Sequence, residues 1–131
     1  MILGMNHITI NVKNTEGSKQ FYSDVLGLKL LEVVDMGDLE ISYYGVPGEC
    51  RIELIDYATN EPIAHVEQKA LGCYRHMAMT VDHLDSYYNE CIKRGIPILM
   101  EPCTMEKLHC KGMLIEDPNG VEVELVERLT V

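Results

Sequence analysis

Two histidines and two glutamates recur at matching places in this 131-residue chain. His7 opens the run His7-Ile8-Thr9-Ile10-Asn11-Val12, and His76, 69 residues later, opens His76-Met77-Ala78-Met79-Thr80-Val81. Glu53 lies in Arg51-Ile52-Glu53-Leu54-Ile55, and Glu124, 71 residues further on, lies in Val121-Glu122-Val123-Glu124-Leu125. Imidazole nitrogen and carboxylate oxygen are donors for divalent first-row metals. A lone His at the start of a strand is more often a surface residue, and a Glu on a solvated sheet face is common. Neither accounts for the same two residue types at the same two places in both halves. A carboxylate between apolar neighbours, as in Ile52-Glu53-Leu54 and Val123-Glu124-Leu125, is costly to bury unless a cation or donor compensates. The pattern therefore predicts one His and one Glu from each half, four metal ligands in all.

The elements that must position these residues also repeat. After the first strand, Asn14 or Thr15 can cap a helix with Phe21, Tyr22, Val25 and Leu26 on one face, and Gly27 supplies a left-handed stop. In the second half Leu84, Tyr87, Tyr88, Cys91 and Ile92 follow a 3.6-residue period, Asp82 can cap, and Gly95 ends the helix with Pro97 just beyond. Three strand-like segments follow each helix, at about 28–35, 39–45 and 51–57, then at about 97–103, 112–116 and 121–127. Turn residues separate them, Gly37-Asp38 and Pro47-Gly48 in the first half and Pro118-Asn119-Gly120 in the second. The expected fold class is α+β, with two tandem βαβββ modules, one about 1–66 and the other about 67–131, in a single domain; residues 58–72 form the connector.

Side chains alternate across a strand. Ile8, Ile10 and Val12 are therefore expected to pack under the first helix, while His7, Thr9 and Asn11 share the opposite face. Met77, Met79 and Val81 repeat the first set, and His76, Ala78 and Thr80 the second. Thr9, Asn11, Ala78, Glu122 and Tyr57, the last by its parity with Glu53, are candidate substrate-pocket residues on the histidine face. Cys103, His109 and Cys110 could suggest a zinc cluster or a Cys/His nucleophile pair, but they fall in an expected loop without ligand-type spacing. His65 and His83 are expected to be solvated, and Cys91 to pack inside its helix.

Composition narrows the partners. A formal net charge of −10 disfavours phosphate backbones and anionic lipid surfaces, so neither nucleic acid nor membrane is an expected partner. No apolar run approaches the length of a membrane helix, and the first residues lead straight into a strand pattern, which suggests a soluble cytoplasmic protein. Five cysteines, odd in number and without Cys-x-x-Cys spacing, are expected to be free thiols in a reducing compartment. Small molecules and metal cations remain as the expected partners.

The chain resembles the vicinal oxygen chelate superfamily, the glyoxalase I, methylmalonyl-CoA epimerase and extradiol dioxygenase group, over almost its entire length. The most specific segments are His7–Val12, Phe21-Tyr22-Ser23-Asp24-Val25-Leu26-Gly27-Leu28, Arg75-His76-Met77-Ala78-Met79-Thr80-Val81-Asp82 and Glu116-Asp117-Pro118-Asn119-Gly120-Val121-Glu122-Val123-Glu124-Leu125. The resemblance implies two βαβββ modules in a cupped mixed sheet around one divalent metal, with His7 and Glu53 from one module and His76 and Glu124 from the other. It also implies a homodimer and proton abstraction next to a carbonyl through a metal-stabilised enediolate, with Glu124 as base and Glu53 as opposing acid/base. Two His, two Glu and two open positions suit Ni, Co, Zn or Mn. A metal-dependent lyase or isomerase of glyoxalase I (lactoylglutathione lyase) type is the expectation. The alternatives are a methylmalonyl-CoA epimerase-like racemase, to which Glu61-Pro62-Ile63-Ala64-His65-Val66 is similar, an extradiol-type dioxygenase using Fe with Glu53 off the metal, and a non-catalytic drug-binding protein. Asn11 and Tyr57 occupy the positions at which bacterial glyoxalase I carries an Arg and an Asn for glutathione.

Overall fold

The computed structural model describes residues 1–130, which form two compact units, the first ending at Ile63 and the second beginning at Ala64. In the first unit β1 (His7–Asn11) leads into α1 (Thr15–Gln20), followed by β2 (Lys29–Asp35), β3 (Glu40–Val46) and β4 (Cys50–Asp56). The second unit repeats the order with β5 (Met77–Thr80), α2 (Leu84–Arg94), β6 (Ile98–Met105), β7 (Cys110–Glu116) and β8 (Glu122–Arg128). Each unit thus has the βαβββ order expected from the sequence, and each forms one four-stranded mixed sheet, ordered β1-β4-β3-β2 and β5-β8-β7-β6. The first strand of each unit pairs in parallel with the last, and the other pairings are antiparallel. No helix among the described residues is long and apolar enough to cross a membrane.

Strand parity sorts the side chains as the alternation requires. Ile10, Val12, Ile52, Leu54 and Tyr44 are buried together with Phe21, Tyr22, Val25 and Leu26, and the Tyr22 and Tyr44 rings lie 6.4 Å apart. Met77, Met113, Ile115, Val123 and Leu125 fill the corresponding core of the second unit with Leu84 and Cys91 of α2. Burial of each large apolar side chain contributes about 1.5–3 kcal/mol. The alternate members of the parallel strands, His7, Thr9, Asn11, Ala78 and Thr80, fall on the exposed face.

The two helices begin and end differently from the simple periodic reading. Asn14 caps α1 through its side-chain oxygen, which accepts from the Gly17 amide at 3.0 Å. The α-helix stops at Gln20, and Phe21–Val25 continue as a wider π turn closed by the Leu26 amide on the Phe21 carbonyl at 3.0 Å. Ser23 Oγ donates to the Lys19 carbonyl, a side-chain bond that competes with the helical ladder and opens it. The four apolar residues still face the core. In α2 the expected cap is corrected. His83 occupies the N-cap, Asp82 accepts instead from the His83 amide at 2.9 Å, and Glu127 of β8 accepts from the Leu84 amide at 3.1 Å. Gly95 closes α2 in the left-handed conformation, with φ of 68°.

Residues 103–110 are a hairpin rather than the expected loop. β6 runs through Cys103 to Met105, a short turn spans Glu106–Leu108, and Cys110 begins β7. Cys103 pairs in register with Gly112, while Cys110 pairs with Met105, so ladder pairing rather than ligand geometry places the two thiols. All five cysteines are free, and Cys91 is buried in α2 as expected. The side chain of His65 is exposed beside Glu67, and His83 is exposed as well.

Candidate metal-ligand pairs

Parallel pairing of β1 with β4 sets Thr9 opposite Glu53, and antiparallel pairing of β3 with β4 sets Tyr43 opposite the same residue. Residues opposed across a ladder share a face, so three polar side chains converge there. Thr9 Oγ1 donates to Glu53 Oε1 at 2.9 Å, and the Tyr43 hydroxyl also donates to the Glu53 carboxylate. Glu53 is buried, and burial alone would raise its carboxyl pKa. The Tyr43 and Thr9 hydroxyls, with His7 and Arg51 adding positive charge, outweigh that and hold it below the ordinary carboxylate value. Conversely, hydrogen bonding to the Glu53 carboxylate, and to a lesser extent burial, raises the Tyr43 phenol, which stays a donor.

His7 completes this pair. Its Nε2 lies 3.9 Å from Glu53 Oε1, and its Nδ1 lies 2.6 Å from Asn6 Oδ1. With an amide oxygen as its partner, Nδ1 is the donor, and Nε2 faces the glutamate side. An orienting acceptor behind the imidazole is what metal-ligating histidines ordinarily have.

The second unit places its pair by the same pairing. His76 immediately precedes β5, Ala78 opposes Glu124 across β5 and β8, and Leu114 opposes Glu124 across β7 and β8. His76 Nε2 is 2.7 Å from Glu124 Oε2, while His76 Nδ1 is buried without a hydrogen-bond partner. Gly112 makes room for the carboxylate: a Cβ there would lie 3.3 Å from Glu124 Oε1 and 2.9 Å from the Met105 methyl. The pair's donors, an imidazole with one uncommitted buried nitrogen and a carboxylate, suit a divalent metal.

The structure thus brings His7 to Glu53 and His76 to Glu124. In neither unit, among the described residues, does a group of three or more His, Cys, Asp or Glu gather in a way suited to a metal ion. Of the candidate pocket residues, Thr9 holds Glu53, Asn11 and Ala78 are exposed, and Tyr57 lies exposed just beyond β4. Glu122 ion-pairs with Arg75 and accepts from Gln68 Nε2 at 3.3 Å. Sequence reasoning missed Tyr43 and Asn6. Strand register would have indicated Tyr43, which alternates with the core residue Tyr44. Asn6 carries no signal beyond standing next to His7.

The sequence profile of the Glyoxalase/Bleomycin resistance protein/Dioxygenase superfamily matches residues 4–125. The chain belongs to that family. It is 27% identical over 124 residues to a probable lactoylglutathione lyase of Synechocystis sp., covering 92% of each chain. It is 29% identical over 127 residues to the mitochondrial methylmalonyl-CoA epimerase of Mus musculus, covering 92% of this chain and 71% of the epimerase. Among solved structures, a glyoxalase family protein from Bacillus cereus superposes with a TM-score of 0.81 at 23% identity, over 99% of this chain and 97% of that one.

Proposed function

We propose that the protein is a divalent-metal-dependent lyase or isomerase of glyoxalase I type, which removes a proton from a carbon next to a carbonyl in a small 2-oxo, 2-hydroxy or thioester substrate. The observation that carries this reading is the duplicated pair: a His beside a Glu, set by the same strand pairing, in each unit. Likeness to lactoylglutathione lyases and to methylmalonyl-CoA epimerases supports it, since both names denote enzymes acting on thiol-linked acyl compounds. His7, Glu53, His76 and Glu124 are the proposed ligands of Ni, Co, Zn or Mn. The bound ion would supply Lewis-acid stabilisation of the charge that develops on the substrate's carbonyl oxygen.

The chain's own residues divide the remaining work. Asn6 keeps His7 in the tautomer whose Nε2 is free to bind. Thr9 and Tyr43 hold the Glu53 carboxylate ionised and oriented, as the opposing acid/base. Glu124, which among the described residues has no hydroxyl donor beside it, takes the proton from carbon and returns it. Asn11, Ala78, Tyr57 and Glu122 are proposed to border the substrate, and a homodimer in the cytoplasm is the expected state of the protein.

Metal content and coordination number of freshly purified protein test the first half of this proposal, with two His and two Glu expected on one ion. Incubation in heavy water with thiohemiacetals of 2-oxoaldehydes, branched acyl thioesters and 2-hydroxy ketones tests the second. Exchange of the α-proton into solvent is expected. Metal-free protein that binds these compounds without exchange would mean a binding protein, and oxygen uptake with catechols on an iron-loaded chain would mean a dioxygenase.

A further inference from the structure

We propose that Thr9 and Tyr43 are positioning residues that hold the Glu53 carboxylate in one orientation for metal binding, a restraint that the second unit does not repeat around Glu124. The inference deepens the metal-centre reading and rests on it. Both hydroxyls reach Glu53 from the two strands that flank β4, one on each side. Tyr43 is itself held, because the Arg51 guanidinium carbon lies 4.1 Å from its ring centroid and Arg51 Nη1 lies 3.6 Å from Glu32 Oε1. Two donors and a braced ring leave Glu53 little rotamer freedom.

The same three places around Glu124 are filled otherwise. Ala78 replaces Thr9 and Leu114 replaces Tyr43 in the matching register, and neither side chain can donate a hydrogen bond. Gly112, where Ile41 stands in the first unit, lets the carboxylate and the Met105 methyl occupy the space that a Cβ would take. Among the described residues, only His76 engages Glu124 directly. Outer partners that orient a ligand would thus act on Glu53 and not on Glu124.

Equilibrium binding of Co²⁺ to the full metal-stripped chain, read by competition with a chromophoric chelator, tests the inference without any substrate. Thr9→Val and Tyr43→Phe are expected to bind Co²⁺ about 10–100-fold more weakly, the usual cost of losing an outer partner of a ligand. Thr9→Ser, which keeps the hydroxyl, is expected to restore wild-type affinity, separating positioning from packing. The mirror variant Ala78→Thr adds a hydroxyl at an exposed position and is expected to tighten binding. Wild-type affinity in Thr9→Val, or equal weakening in Thr9→Ser, would overturn the proposal while leaving the metal centre intact. Failure of the wild-type chain to bind Co²⁺ at all would instead remove the metal reading and this inference with it.

Discussion

Glu53 and Glu124 occupy the same register position in two units of the same topology, yet their surroundings differ in kind. Glu53 is buried and accepts from two hydroxyls, while Glu124 is half-buried and meets one imidazole, an alanine, a leucine and a glycine. The histidines differ in the same sense. His7 has Asn6 behind its ring, whereas Arg75, in the place of Asn6, turns to Glu122 and leaves His76 Nδ1 without a partner. Duplication of a fold therefore duplicates where the His–Glu pairs stand without duplicating what holds them. The first unit holds its carboxylate with hydroxyls, and the second sets its carboxylate against an imidazole.

The comparison breaks most visibly at the glutamates themselves. Glu124→Gln is expected to retain most metal and to lose turnover by about 10²–10⁴-fold, the usual contribution of a general base. Glu53→Gln is expected to lose metal first, and metal analysis beside an exchange assay separates the two effects. Full activity in Glu124→Gln would remove Glu124 from the mechanism. A smaller effect is expected behind His7: Asn6→Ala frees the imidazole tautomer and should weaken metal binding by roughly tenfold, near the low end for an outer partner. No change in chelator competition would mean that Asn6 plays no part in orienting the ring.

A pH effect sharpens the contrast further. The folded carboxyl of Glu53 is held below its ordinary value, so its ionised form stabilises the fold at neutral pH, and this contribution is lost as pH falls through the lowered value. Tyr43→Phe removes the largest of the lowering influences. In metal-stripped protein its stability deficit should be widest at neutral pH and should narrow on acidification, as denaturant midpoints across the carboxylate range would show; a deficit independent of pH would contradict the assigned cause. The smallest expected effect concerns the helices. Asn14→Ala should cost about 1 kcal/mol as a lost N-cap, whereas Asp82→Ala should leave the α2 cap intact, because Glu127 supplies the carboxylate that meets its first amide.

Much of this was legible from patterning. Alternation in His7–Val12 and His76–Val81 indicated which side chains would be buried, because one face of each strand must pack under a helix. The helix stops at Gly27 and Gly95 were readable as well, since each has the positive φ that glycine adopts at little cost. The α2 cap was not, because its partner lies 43 residues away on another strand. The hairpin around Cys103 and Cys110 escaped too, since its short turn at Glu106–Leu108 carries no Gly or Pro.

By itself, the sequence determined the repeated βαβββ order, the faces of the strands and the two His–Glu candidate pairs, because these depend on local periodicity and on residue type. Only the tertiary structure decided that Tyr43 and Thr9 close on Glu53 while Leu114, Ala78 and Gly112 surround Glu124. That difference depends on register between strands distant in the chain, and a shift of one residue would turn each of these side chains to the other face of its sheet.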